Sequence, residues 1–397
     1  MCIIDEHSFR IVEGEGFRLL MRIAEPRWTV PCRKTVASEC FKLYDKEKVL
    51  MKKLLKNQRL SLTTDCWSSI QNLGYLTLTA HFIDDDWKLQ KRILNFSLVE
   101  NHRGQTIGRI VESCLVDWRF DKIFTITVDN ASSNCGAIEY LKYCNWSDPI
   151  MSNKYIHVRC AAHIVNLIVK DGLKDQDFSI QRIRNAMKFV RSSPQRNKKF
   201  QERVLFEKIE CKKGQVVLMH LTIKRMQNSD DLVMKEMTYS MHEKFEKYWV
   251  DSTCRNNLLL LGVVFDPRYK FKHVKFMDVK LELEALVGDY VNRLSSSENV
   301  ASTEMMEMSN SKDGEEFDDE DTMSCLDSQF TMKLQQEQSV ETKYELTRYL
   351  HEACEKDHHL DILYWWKSNS SRYPIMSKVT KDVLAIPVST VASEQSF

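Results

Sequence analysis

Nowhere in this 397-residue chain does an apolar run approach the roughly 20 residues needed to cross a bilayer. The opening residues, MCIIDEHSFRIVEGEG, lack the basic start and long apolar segment of a secretory leader. The chain therefore reads as intracellular. Its 12 cysteines include no Cys-x-x-Cys pair, and a chain of this length needs no disulfide staples, so reduced, mostly structural thiols are expected. An excess of charge of one sign is also missing: 57 Lys and Arg face 56 Asp and Glu, a net charge of +1. Composition as a whole thus carries no nucleic-acid footprint, and any such signal must be local.

What is present is ordinary for a soluble globular protein, with 43% hydrophobic and 28% charged residues and room for two or three domains. KEKVLMKKLLKNQRL at 46–60 has near-helical apolar spacing and runs into the β-favouring SLTTDCWSS. YLTLTAHFI (75–83) and LQKRILNFSLV (89–99) follow as strands separated by DDDW, which predicts a three-strand meander. TIGRIVESCLVDW (106–118) sets Ile107, Ile110, Val111, Cys114 and Leu115 at helical spacing, and KIFTITVDN after it is a nearly continuous β run. A further helix is expected near 161–173.

Two segments stand apart in charge. Arg182 to Arg203 holds eight Lys or Arg against one acid, the only dense basic strip. A run of charge is ordinarily a solvated helix face, and the alternative here is contact with phosphate. Ser295 to Cys325 is Ser-rich, carries nine acids between Glu304 and Asp321, and is poor in large apolar residues, so it is expected to be a flexible acidic link.

Five blocks carry a family resemblance: LTTDCWSS (62–69), TVDNASSN (127–134), RCAAHIVNLIVKDGL (159–173), FDPRYKF (265–271) and the C-terminal LDILYWWKSNSSRYPIMSKVTKDVLAIPVSTVASEQSF. In this order they resemble the plant-type hAT superfamily transposases, including their BED-zinc-finger RICESLEEPER-like derivatives. The resemblance implies an α/β fold: a ribonuclease-H-like mixed sheet with flanking helices, a helical insertion, and a C-terminal segment that completes the core. It implies a remnant N-terminal helical segment at 1–55, the first part of the catalytic-type core at 56–215, and a shortened insertion region at 216–294. An acidic linker at 295–339 and a hAT dimerisation region at 340–397 follow.

Carried over residue by residue, the family's carboxylates are Asp65, Asp129 and Glu394, which would be both catalytic and metal-ligating. Three carboxylates suit this chemistry because hard oxygen donors hold paired Mg²⁺ ions at a scissile phosphate. Read without the family, Asp65 and Asp129 are more readily turn or helix-cap aspartates. Cys160 and His163 form a single Cys-x-x-His, short of the four ligands of a structural zinc site, so no zinc is expected. The resemblance implies phosphate contact for His163, with a satisfied polar pair as the alternative. Arg191, Arg196, Lys198 and Lys199 are the candidate DNA contacts in the basic strip. Leu363, Trp365, Trp366, Tyr373, Pro374, Leu384 and Ile386 are expected in the dimerisation region, with the tryptophans in a hydrophobic core or interface rather than stacking on bases.

Three departures from the family are expected to matter. Ligands for a BED finger ahead of Asp65 are absent. After ECKKG the chain reads QVVLMHLTIKRMQNSDD where relatives have an Arg-Trp pair, and it stops soon after the Ser-Glu segment. The resulting expectation is a nuclear, DNA-binding, domesticated or degenerate hAT transposase with Mg²⁺ as its ancestral metal. A homodimer or a hAT-type heterodimer is implied, without transposition activity. An active Mg²⁺-dependent strand-transfer enzyme and a non-catalytic interaction scaffold are the alternatives.

Overall fold

The structure is a computed structural model describing residues 2–56, 58–69, 71–144, 146, 149–174, 177–206, 232–251, 257–272, 279–293 and 345–390. The acidic segment 295–325, the QVVLMHLTIKRMQNSDD stretch and Glu394 lie outside the described residues.

Two helices come first, α1 (Glu15–Ala24) and α2 (Arg33–Leu55). The helix expected at 46–60 thus begins earlier and stops at Leu55, its only buried residue. Leu60 already belongs to the first strand, where the β-branched and aromatic run takes over. The meander follows as β1 (Leu60–Ser68), β2 (Gly74–Ile83) and β3 (Leu89–Val99), paired antiparallel in sequence. Helix α3 (Gly104–Trp118) then crosses to β4 (Ile123–Val128), which pairs parallel to β1. After α4 (Ser132–Lys142), β5 (His157–Arg159) adds parallel to β4. The sheet order is β3-β2-β1-β4-β5, the expected ribonuclease-H-like mixed sheet.

Each face of the sheet is covered by helices. On one side Leu62, Leu76, Leu78 and Ile126 meet Ile107, Val111 and Leu115 of α3 and Ala137, Ile138 and Leu141 of α4. The two helices approach closely at Gly104, where a Cβ would stand 2.6 Å from the Ser133 carbonyl oxygen. α5 (Ala161–Gly172), α6 (Asp177–Arg191), α7 (Pro194–Phe206) and α8 (Leu232–Phe245) come next. Within this helical part α5 packs against α8, and Ile164 and Ile168 meet Met241, Phe245, Tyr248 and Trp249.

The opposite face of the sheet is covered by α9 (Asn257–Val264), helical residues 279–293 and 345–351, α10 (Ile362–Asn369) and α11 (Pro374–Leu384). Leu258, Leu261, Leu283, Leu286, Met376 and Val379 join Ile83, Phe124 and Val158 in one cluster there. Trp366 is fully enclosed in it, donating Nε1–H to the Phe265 carbonyl at 2.8 Å and packing against the rings of Tyr349 and Tyr373. The FDPRYKF turn braces this unit from below. Asp266 holds Arg268 through both carboxylate oxygens, and the buried ammonium of Lys270 caps the carbonyls of Tyr349 and Glu352.

Candidate active site

Asp65 lies on β1 and Asp129 follows the last residue of β4. In the parallel β1–β4 register Thr63 pairs with Thr127, so two residues further along each strand stand Asp65 and Asp129. Equal steps from a paired position keep both residues on one face of a pleated sheet. Asp65 is buried, at 5% exposure, and Asp129 is half-buried. Two independent groups feel both carboxylates. Burial first, then the charges of Asp65 and Asp129, push the Cys66 thiol up to about 12. The same two charges act on His163.

Asp129 also makes the turn that the local sequence suggests. Its Oδ1 accepts from the Ala131 amide at 2.7 Å and from Asn134 Nδ2 at 2.6 Å, which fixes the carboxylate at the entrance to α4. The cap reading and the site reading therefore describe one residue. Asn134, buried in α4, is a positioning group that the spacing of TVDNASSN did not single out.

Cys160 and His163 open α5 beside these carboxylates. Cys160 Sγ lies 3.2 Å from His163 Nδ1 and accepts from the Thr390 amide at 3.4 Å and its hydroxyl at 3.5 Å. Burial pushes this thiol up, but the bonds from His163 and Thr390 outweigh it and bring it down to about 7. For His163 burial acts downward, and the bond to Cys160 with the charges of Cys160, Asp129 and Asp65 raises it overall. The pair thus leans toward thiolate and imidazolium, placing a cation next to two anions. Arg159, at the end of β5, adds a guanidinium 3.4 Å from the Asn130 side-chain oxygen.

The C-terminal segment closes one wall. The Ala161 amide donates to the Val388 carbonyl at 2.8 Å, and Thr390 is buried against Cys160. Glu394, the third expected carboxylate, lies outside the described residues, and among those residues no group of three or more His, Cys, Asp or Glu could hold a metal. By donor chemistry Asp65 and Asp129 fit a hard, oxygen-preferring divalent cation.

The remaining candidates fall elsewhere. Arg191 ends α6, while Arg196, Lys198 and Lys199 lie on α7, and all four are exposed. The Arg196 guanidinium stacks over the Phe189 ring at 4.0 Å and donates to Ser192 Oγ at 3.1 Å. Trp366, Tyr373 and Ile386 are buried in this chain's own core, with Leu363, Trp365 and Leu384 packed against it and Pro374 exposed at the start of α11.

Comparison with known proteins agrees with this layout. Residues 63–153 match the ZBED1 RNase-like domain and 158–250 the ZBED1 RNase-like helical domain. Residues 214–298 match the hAT-like transposase RNase-H fold, and 345–397 the hAT family C-terminal dimerisation region. Over its full length the chain is 28% identical to zinc finger BED domain-containing protein RICESLEEPER 2 of Oryza sativa subsp. japonica, covering 69% of that protein. It is 30% identical to a putative AC transposase of Zea mays, covering 60% of it, and 25% identical to DAYSLEEPER of Arabidopsis thaliana, covering 68%. The rice alignment runs over 502 positions against 397 residues here, so that relative carries internal segments without a counterpart in this chain. With ribonuclease-H-like and dimerisation domains matched in order on one chain, the protein belongs to the hAT transposase-derived family.

Proposed function

We propose that this chain is a DNA-binding hAT transposase derivative that retains the architecture of a strand-transfer site without performing transposition. The observation that carries the reading is the β1–β4 register, which brings Asp65 and Asp129 level on neighbouring strands. Glu394 is the third inherited carboxylate in this proposal. Thr390, four residues before it, is tied to Cys160, so that much chain spans at most about 14 Å from the site wall. Asp65 and Asp129 would hold Mg²⁺, which would supply activation of the attacking oxygen and stabilisation of the leaving oxygen. His163, raised toward its charged form beside the carboxylates, would meet a DNA phosphate.

Duplex contact is assigned to Arg191, Arg196, Lys198 and Lys199. Their exposure on consecutive helices, and the bracing of Arg196 on Phe189, support a surface that reads charge and not sequence. The match to a hAT dimerisation region supports self-association or pairing with a hAT-type partner, and a DNA-directed role supports a nuclear location. Loss of transposition is inferred from the internal segments that the rice relative has and this chain lacks, and from the QVVLMHLTIKRMQNSDD run in place of an Arg-Trp pair. The rival reading, an active Mg²⁺-dependent strand transferase, is favoured by the intact Asp65–Asp129 pairing.

Titration of a fluorescent blunt duplex at several salt concentrations tests the proposal. Sequence-indifferent binding that weakens steeply with salt is expected. No binding at low salt would overturn it.

A further inference from the structure

The row of residues next to Asp65 on the sheet is aromatic and open. Across the antiparallel strands Asp65 stands opposite Thr77, and Thr77 opposite Phe96, in one row. In the adjoining row Trp67 stands opposite Tyr75, and Tyr75 opposite Leu98. Steps of two along a strand return to the same face, so the carboxylate of Asp65 and these rings share one face of the sheet. Trp67 and Tyr75 stack with centroids 5.8 Å apart at 24°, and Tyr75 and Phe96 at 5.3 Å and 25°. Trp67 and Phe96 close the triangle at 5.8 Å. Unlike the enclosed Trp366 cluster, this one faces outward: Phe96 is 46% and Leu98 61% exposed, with Trp67 and Tyr75 half-buried.

We propose that Trp67, Tyr75 and Phe96 form a stacking platform for an unpaired nucleobase beside the two-aspartate site, which makes them positioning residues for a DNA strand end. The inference rests on the DNA-binding reading above. Near-parallel, exposed ring planes offer a base what another base would offer, and such stacking tolerates any sequence. Electrostatics favours a base here over a phosphate, since the neighbouring group is an anion. Distance then selects the unpaired state. Two residues of strand separate Trp67 from Asp65, about 7 Å, twice the 3.4 Å rise of a stacked nucleic-acid strand. A base adjoining a phosphate held at Asp65 reaches the rings only after it leaves its stack.

A cross-strand aromatic ladder also stabilises a sheet edge, and β3 is the edge strand, so the test must separate holding the sheet from holding a base. Binding is measured without divalent metal for three probes: a blunt duplex, the same duplex with a short single-stranded tail, and that duplex with an abasic tail. The platform predicts that the tail with bases binds about tenfold or more tighter than the abasic tail, from stacking worth about 1–3 kcal/mol per base. Trp67→Leu and Phe96→Leu are expected to erase that advantage while blunt-duplex affinity stays within about twofold, and Trp67→Phe to keep most of it. Equal affinity for the two tails with the blunt duplex still bound would overturn the platform and leave the DNA-binding reading standing. No affinity for any probe would overturn both. Should a leucine variant fail to fold, the comparison of the two tails on the unaltered chain decides the matter by itself.

Discussion

The Thr127 hydroxyl, two residues before Asp129, donates to the Pro387 carbonyl at 2.8 Å across 260 residues of sequence. That bond, with Val388 accepting from Ala161 and Thr390 donating to Cys160, docks the C-terminal segment on the strand ends that present the carboxylates. Site and C-terminal segment are therefore one structural unit. Thr127 is buried, so Thr127→Val keeps its shape, removes the donor and leaves a carbonyl without it. A loss of about 1–2 kcal/mol is expected by chemical denaturation, with faster hydrogen exchange at the Ala161 and Thr390 amides. Thr127→Ser should restore both. Unchanged exchange at those amides in the valine variant would show that the segment is held by other interactions.

Acid sensitivity follows from two histidines in the sheet. Burial first, then Lys91, lowers His81 to about 4, and burial with Arg159 and Lys142 lowers His157 to about 4. Both folded values lie below the ordinary 6.5, so between pH 6.5 and 4 the unfolded chain binds more protons than the folded one. Stability is present above pH 6.5 and is lost as pH falls through that window, by about 3 kcal/mol for each histidine. Urea midpoints measured from pH 7 to 4 should fall accordingly. His81→Gln, which keeps a partner for Thr63 Oγ1, should remove about half of the drop attributed to the pair. A variant with the same pH slope as the unaltered chain would exclude His81 as a source.

Much of this architecture was legible because its signals are periodic. The meander, α3 and β4 announce themselves by alternation or by helical apolar spacing, and they appear at 60–68, 74–83, 89–99, 104–118 and 123–128. β5 has only three residues, His157–Arg159, too few for any period, and α4 buries Ala137, Ile138 and Leu141 on a face whose apolar spacing is weak. The site was legible through its blocks, which placed Asp65 and Asp129 but not the groups that hold them. Asn134 and Thr390 act through hydrogen bonds that close only in three dimensions. Trp366 and Tyr373 show the converse limit: the sequence marks them as apolar, and only the fold reveals that their own chain encloses them.

The basic strip can be tested apart from the carboxylates. Arg196→Glu, Lys198→Glu and Lys199→Glu together should weaken duplex binding and flatten its salt dependence, since every phosphate left without its cationic partner takes about 0.9 from the slope of log affinity against log salt. These side chains are exposed, so thermal stability should barely change. Unaltered affinity and slope in the triple variant would remove this strip from the DNA-binding surface.

The purified chain is expected neither to nick nor to join DNA in Mg²⁺ or Mn²⁺. The Asp65–Asp129 pair is necessary for such activity but does not supply it alone. Strand transfer also needs the third carboxylate and the DNA end held together, and misplacement of a reacting group by about 1 Å costs on the order of a hundredfold in rate. The internal segments of the rice relative that have no counterpart here, and the missing Arg-Trp pair after ECKKG, remove parts whose role is such positioning. These losses affect several requirements together, and their costs in rate multiply. Supercoiled plasmid incubated with the protein and either metal should remain supercoiled, at the level seen with Asp65→Ala and Asp129→Ala. Metal-dependent nicking that disappears in both alanine variants would reverse the conclusion, because only a working carboxylate pair could produce that pattern.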